Sequence, residues 1–214
     1  MAKIYLNDMP FSQPNDIIGV FGGSFNPPHE GHLLVARYAM KYLGLTRLWW
    51  MVSPGNPLKD NSFLPQIEYR IKLCENLLQN ENYIDITGFE YSIKAFTSFD
   101  TIKYILNHKK TERFIWVMGG DSLLNFHHWY KWKDIAKMLP IAIVNRPIAL
   151  NPHINSVFAK KYINNLIPKA EIYNLAFKKP PAWCYLQGNV SYLSSTQLRL
   201  SLIHISEPTR PERI

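Results

Sequence analysis

Short apolar runs rich in β-branched and aromatic residues recur along this chain, and segments of helical periodicity separate them. Ile17 to Phe21 (IIGVF), Leu48 to Val52 (LWWMV), Arg113 to Met118 (RFIWVM) and Ile141 to Asn145 read as strands with little or no polar face. A strand that is apolar on both sides needs cover on both, and the intervening helical segments supply it. The predicted helices are Gly31 to Leu43, with Leu34, Ala36, Tyr38 and Tyr42 as candidate core residues, then Pro65 to Leu78, Ser98 to Asn107 and Trp132 to Leu139. Tyr83 to Thr87 and Ala182 to Leu186 are further candidate strands. Ser156 to Asn164 is a candidate helix in the less regular stretch between Ile148 and Ala182. The fold class predicted is α/β: a doubly wound, mainly parallel sheet with helices on both faces.

No internal repeat, low-complexity tract or linker divides the chain. Residues 1–214 are therefore expected to form a single domain, with 1–16 as an N-terminal extension and 201–214 (SLIHISEPTRPERI) as an atypical tail. That tail has two prolines and no core face, and it is set aside from the fold. Of 214 residues, 47% are hydrophobic and 19% charged, the mixture of a globular protein. A net charge of +8 and a pI near 9.4 favour anionic partners without choosing one. No tract of Lys and Arg exceeds two and no aromatic RNA-binding motif is present, which disfavours a nucleic-acid binder. No apolar run approaches the roughly 18 residues of a membrane span, and Met1 to Asp16 lacks a signal-peptide core. The expectation is a cytoplasmic protein without membrane partners. Cys74 and Cys184 fit neither a zinc motif nor a disulfide framework and read as buried thiols.

In open parallel sheets, ligands bind beyond the carboxyl ends of the strands at the switch point. The unusual residues of this chain gather at such places. The first strand runs into Gly22-Gly23-Ser24-Phe25-Asn26-Pro27-Pro28-His29-Glu30-Gly31-His32 and then a helix. Two glycines let backbone N–H groups approach an anion, and a helix N-terminus adds unpaired N–H donors and a partial positive charge. His29 and His32, three apart, share a face of the first turn and can each donate to a phosphate oxygen.

This stretch resembles the signature of the nucleotidyltransferases that carry an H-x-G-H motif. Leu193-Ser194-Ser195-Thr196-Gln197-Leu198-Arg199 is similar to that family's I-S-S-T-x-x-R segment. Within the superfamily the resemblance is to bacterial nicotinate-nucleotide adenylyltransferases, over Ile17 to Arg199. It is carried further by Pro54-Gly55-Asn56-Pro57-Leu58-Lys59, by Gly119-Gly120-Asp121-Ser122 with Trp129, and by Val144-Asn145-Arg146-Pro147. Phe96-Thr97-Ser98 matches the family's Y-T only in part, and either Thr97 or Ser98 fills the threonine place.

The resemblance implies a Rossmann-like nucleotidyltransferase fold and adenylyl transfer from ATP to nicotinate mononucleotide in NAD biosynthesis. His29, His32, Lys59 and Arg199 would carry catalysis. Gly22, Gly23, Ser24, Phe25, Ser194, Ser195 and Thr196 would hold ATP, and Thr97, Ser98, Asp121, Trp129 and Arg146 the mononucleotide. A cationic pyridinium suits the face of Trp129, although the surrounding aromatic run also reads as core packing. Asp121 reads equally as a helix cap or a ribose contact. His127 and His128 lack metal-ligand spacing and read as surface or packing residues. Mg²⁺ is expected to arrive on ATP, because no carboxylate cluster is visible to cage it. No metal site of the chain's own is expected, and a homo-oligomer is compatible with the sequence. Phosphopantetheine adenylyltransferases share both end motifs but lack the long middle, and a cytidylyltransferase is a third reading.

Overall fold

The computed structural model describes residues 2–55, 58, 60–145 and 156–187. Seven strands form one sheet: β1 Lys3–Tyr5, β2 Ile17–Gly23, β3 Arg47–Val52, β4 Ile84–Thr87, β5 Arg113–Gly119, β6 Ile141–Asn145 and β7 Trp183–Gln187. Their spatial order is β1-β4-β3-β2-β5-β6-β7, and every pairing is parallel. The α-helices among the described residues are α1 Glu30–Tyr42, α2 Ile67–Leu77, α3 Phe89–Ser92, α4 Ser98–His108, α5 Gly120–Asn125, α6 Trp132–Met138 and α7 Val157–Lys161. Tight 3-10 segments cover Phe126–His128, Ile163–Asn165 and Lys169–Phe177.

The sheet is double-sided, as its apolar strands require. In β3, Leu48, Trp50 and Val52 face α1, α2 and the 169–177 segment, whereas Trp49 and Met51 face the α3-to-α7 side. The same alternation in β5 sends Ile115 and Val117 one way and Phe114, Trp116 and Met118 the other. From β2 the chain works outward through β3 to β4. It then returns to lay β5 on the other side of β2 and continues to β6 and β7. The reversal places a crevice between the carboxyl ends of β2 and β5.

The predicted strands and long helices are all present, with ends displaced by at most a few residues. The core face of α1 differs from expectation. Leu33, Val35, Ala36 and Ala39 are buried, while Leu34 and Tyr38 are half-buried and Tyr42 is exposed. The two alanines let the helix lie close to the sheet. The tyrosine rings meet at a tilt at its flank, centroids 5.5 Å apart, where a phenolic hydroxyl keeps access to water. Within the 1–16 extension, Lys3–Tyr5 is the edge strand beside β4. The helices α3 and α5 and the 169–177 segment are additions that periodicity did not announce. Both cysteines are free and buried, and burial pushes each thiol up to about 12.

Candidate active site

A cavity of about 480 Å³ opens at the carboxyl ends of β2, β3 and β5, a volume within the rough 300–1,000 Å³ range of small-molecule sites. One wall is the loop from β2 to α1, joined by Ser53, Pro54 and Gly55 after β3. The opposite wall carries Phe96, Thr97 and Ser98 before and at the start of α4, Asp121 and Ser122 in α5, and Trp129 and Tyr130.

The β2–α1 wall is built by its two histidines. His29 is the N-cap of α1, and its Nδ1 accepts from the Gly31 N–H at 3.0 Å. His32, at the third helical position, accepts the His29 N–H on its own Nδ1 at 3.3 Å. This reciprocal cap satisfies N-terminal donors that the helix itself leaves unpaired. Its chemical result is tautomeric: a neutral imidazole that accepts on Nδ1 carries its proton on Nε2. The two rings lie with centroids 3.8 Å apart, and both line the cavity.

Phe25 anchors the loop that leads to them. It is 2% exposed, stacks on Trp50 with centroids 4.4 Å apart, and meets the edge of His32 at 5.1 Å. Its φ of 44° lies in the left-handed region that an L-residue enters at a cost, and packing on Trp50 holds it there. Gly22 has little room for a side chain: a Cβ would come within 3.3 Å of Met51 Cε and 3.4 Å of Trp116 Cη2.

Opposite, Thr97 is the N-cap of α4. Its hydroxyl oxygen accepts from the Asp100 N–H at 3.3 Å and lies 2.6 Å from the Asp100 carboxylate. Thr97 is thus committed to the cap, and Ser98 opens the helix beside it. Asp121 sits in the first turn of α5 after the cap residue Gly119, so it does not itself cap the helix, and it lines the cavity. Trp129 is half-buried. It lines the cavity and also meets Phe126 edge-on at 5.2 Å and Trp116 at 6.3 Å, so it packs on the core while one part of it borders the cavity.

Of the predicted residues, the structure brings together Gly22, Gly23, Ser24, Phe25, His29, His32, Thr97, Ser98, Asp121 and Trp129. Lys59, Arg146, Ser194, Ser195, Thr196 and Arg199 lie outside the described residues. His128, read as a surface or packing residue, lines the cavity. Glu90 went unnoticed in the sequence. It is buried in the Thr97 wall, lines the cavity and accepts from Thr101 Oγ1 at 2.5 Å. Burial pushes its carboxyl up to about 7, against the opposing effect of the Thr101 hydrogen bond. It stood in no motif, and only the rarity of a buried carboxyl marks it. Among the described residues no three His, Cys, Asp or Glu groups gather to hold a metal ion, and no helix is long and apolar enough to cross a membrane.

Residues 20–199 match the family model described as Cytidylyltransferase-like, which defines the class of the fold and loop. A relative from Agrobacterium fabrum, "Probable nicotinate-nucleotide adenylyltransferase", is 44% identical over 86% of this chain and 97% of its own length. One of the same name from Rhizobium meliloti is 43% identical over 85% and 96%. A solved structure of Plasmodium falciparum nicotinic acid mononucleotide adenylyltransferase complexed with NaAD shares the fold, with a TM-score of 0.62 at 15% identity over 87% of this chain and 83% of that one. The chain belongs to the nicotinate-nucleotide adenylyltransferase family, nucleotidyltransferases of NAD biosynthesis.

Proposed function

We propose that the cavity joins ATP to nicotinate mononucleotide as follows. ATP lies with its phosphates against residues 22–32, and the mononucleotide lies against the opposite wall. An oxygen of the mononucleotide 5′-phosphate attacks the α-phosphorus. The bond from the α-phosphorus to the α,β-bridging oxygen breaks, pyrophosphate leaves with that electron pair, and the dinucleotide forms. No protein nucleophile is needed, because the acceptor brings a charged oxygen. The chain's work is to align two anions and stabilise charge as it shifts.

The observation that carries this reading is the reciprocal histidine cap, which leaves Nε2 of His29 and His32 as the protonated nitrogens beside the glycine loop. We assign both as donors to phosphate oxygens, with Lys59 and Arg199 as further cationic partners and Ser194, Ser195 and Thr196 as hydroxyl donors. Magnesium bound to the incoming triphosphate supplies charge neutralisation. On the acceptor side, first-turn N–H groups of α4 at Ser98 and beyond suit the nicotinate carboxylate, Trp129 offers its face to the pyridinium, and Asp121 and Arg146 hold the ribose and phosphate. A cytoplasmic location agrees with the reaction's soluble substrates.

Pyrophosphate release is the test, with ATP and, in turn, nicotinate mononucleotide, nicotinamide mononucleotide and phosphopantetheine. The first acceptor should exceed the second in kcat/KM by at least about 100-fold, since a carboxamide brings its own N–H₂ against backbone donors. Equal values for the two mononucleotides, or turnover with phosphopantetheine alone, would refute the reading.

A further inference from the structure

Beneath the β2–α1 wall lies a cation that the reaction as described does not use. Arg70, on α2, is 1% exposed. Its guanidinium reaches three separate backbone segments. Nε donates to the Pro65 carbonyl at 2.9 Å, and Nη1 donates to the Ser24 carbonyl at 2.7 Å and the Ser53 carbonyl at 2.8 Å. Ser24 belongs to the β2–α1 loop and Ser53 to the turn after β3, and both line the cavity.

Three features set this arginine apart from one that merely fills space. Its recorded acceptors are backbone carbonyls, and among the described residues no carboxylate lies within ion-pair distance of it. Glu68, one residue beyond the start of the same helix, acts on it only through its field. Burial works against the guanidinium charge, yet an arginine keeps its proton in a protein. Its positive charge therefore stays buried behind the cavity wall, with no carboxylate in ion-pair contact among the described residues. The planar fork also bridges the two strand-end turns just beyond the point where the β2–β3 ladder ends in the Ser53 N–H to Gly23 carbonyl bond of 2.9 Å.

We propose that Arg70 is a positioning residue for adenylyl transfer: it locks the Ser24 and Ser53 turns into one anion-binding wall and backs that wall with a buried positive charge. The substrate phosphates then meet loops already in place and a favourable field, so reorganisation is removed from the chemical step. The proposal rests on the adenylyl-transfer reading, and the wild-type enzyme's own turnover checks that reading separately.

Lysine retains charge but cannot span three carbonyls from one plane. Arg70→Lys, assayed below its own melting temperature, should lose about 100-fold in kcat, with KM for nicotinate mononucleotide within threefold of wild type. Arg70→Ala should lose more, and millimolar guanidinium should restore its kcat at least tenfold without raising its melting temperature. The proposal is overturned if Arg70→Lys stays within threefold of wild type in kcat. It is equally overturned if activity in both variants simply follows the melting temperature and guanidinium gives no recovery. A wild type inactive with ATP and nicotinate mononucleotide would instead defeat the reaction assignment.

Discussion

The wall at residues 22–32 and the wall at residues 96–98 and 129–130 face each other across one cavity, yet they are made differently. In the first, nearly every group is held from behind: His29 is 4% exposed and caps α1, Phe25 is pinned on Trp50, and Arg70 grips the Ser24 carbonyl. In the second, large aromatic faces stand in solvent, with Phe96 at 64% and Tyr130 at 55% exposure. In the reading proposed above, the first wall takes a triphosphate, which offers charge but little apolar surface, so its donors must be organised before it arrives. The second takes a flat pyridinium, and covering Phe96, Trp129 and Tyr130 would then become part of the binding energy.

If that contrast is right, substitutions on the first wall should act on kcat and those on the second on KM. The largest effect is expected at His32. His32→Ala should lower kcat by about 10²–10³-fold, the usual cost of removing a donor aimed at developing charge, with KM for ATP little changed. The lost cap adds a stability cost of about 1 kcal/mol. His32→Gln, which can still accept the His29 N–H, should recover most of the melting temperature but little of the rate. A kcat within threefold of wild type for His32→Ala would dissolve the distinction between the walls.

Trp129 comes next. Trp129→Ala should raise KM for nicotinate mononucleotide about tenfold, in line with a cation–π contact of roughly 1–2 kcal/mol, while KM for ATP moves less than twofold. Because Trp129 also packs on Phe126, the alanine variant will melt lower, and Trp129→Phe should restore stability before it restores KM. Parallel rises in both KM values would mark the residue as packing alone.

The smallest effect on rate, and the clearest on stability, is expected at Glu90. Its carboxyl rises to about 7 on folding from an ordinary value of 4.5, so between those pH values the folded state holds a proton that the unfolded state has released. The stability tied to this group is fully present below pH 4.5 and is lost as pH rises through 7, by at most about 3 kcal/mol. Glu90→Gln should therefore melt close to wild type at pH 4.5 and above it at pH 8. An unchanged difference between the two proteins across that range would show that the buried carboxyl does not titrate there.

The first wall was legible in the sequence because its parts are contiguous. Gly22-Gly23 ends an apolar strand and His29-x-Gly31-His32 opens a helix, so spacing alone predicts shared direction. The second wall was legible only in fragments, since Thr97, Asp121 and Trp129 come from three separate elements. Arg70 was hidden for a different reason. An arginine on an amphipathic helix reads as solvent-facing, and only the fold reveals that three carbonyls converge on it. Glu90 was missed likewise, because its burial depends on α3, a four-residue helix too short to leave a periodic trace. On α1, Leu33 and Leu34 are indistinguishable by hydropathy, and it is the sheet that chooses between them.

The edge strand Lys3–Tyr5 joins the far edge of the sheet to the wall of the cavity. Its pairing of Lys3 with Asp85 joins positions about 80 residues apart, with no local contact to nucleate it. The segment is tied down again beyond the strand, where Thr87 Oγ1 donates to the Asp8 carbonyl and Ser92 Oγ to the Asn7 carbonyl. Residues 3–8 thus form a clasp: they cover the edge of β4 and fasten α3, the helix that carries Glu90. One short segment therefore ties the edge of the sheet to a residue that lines the cavity.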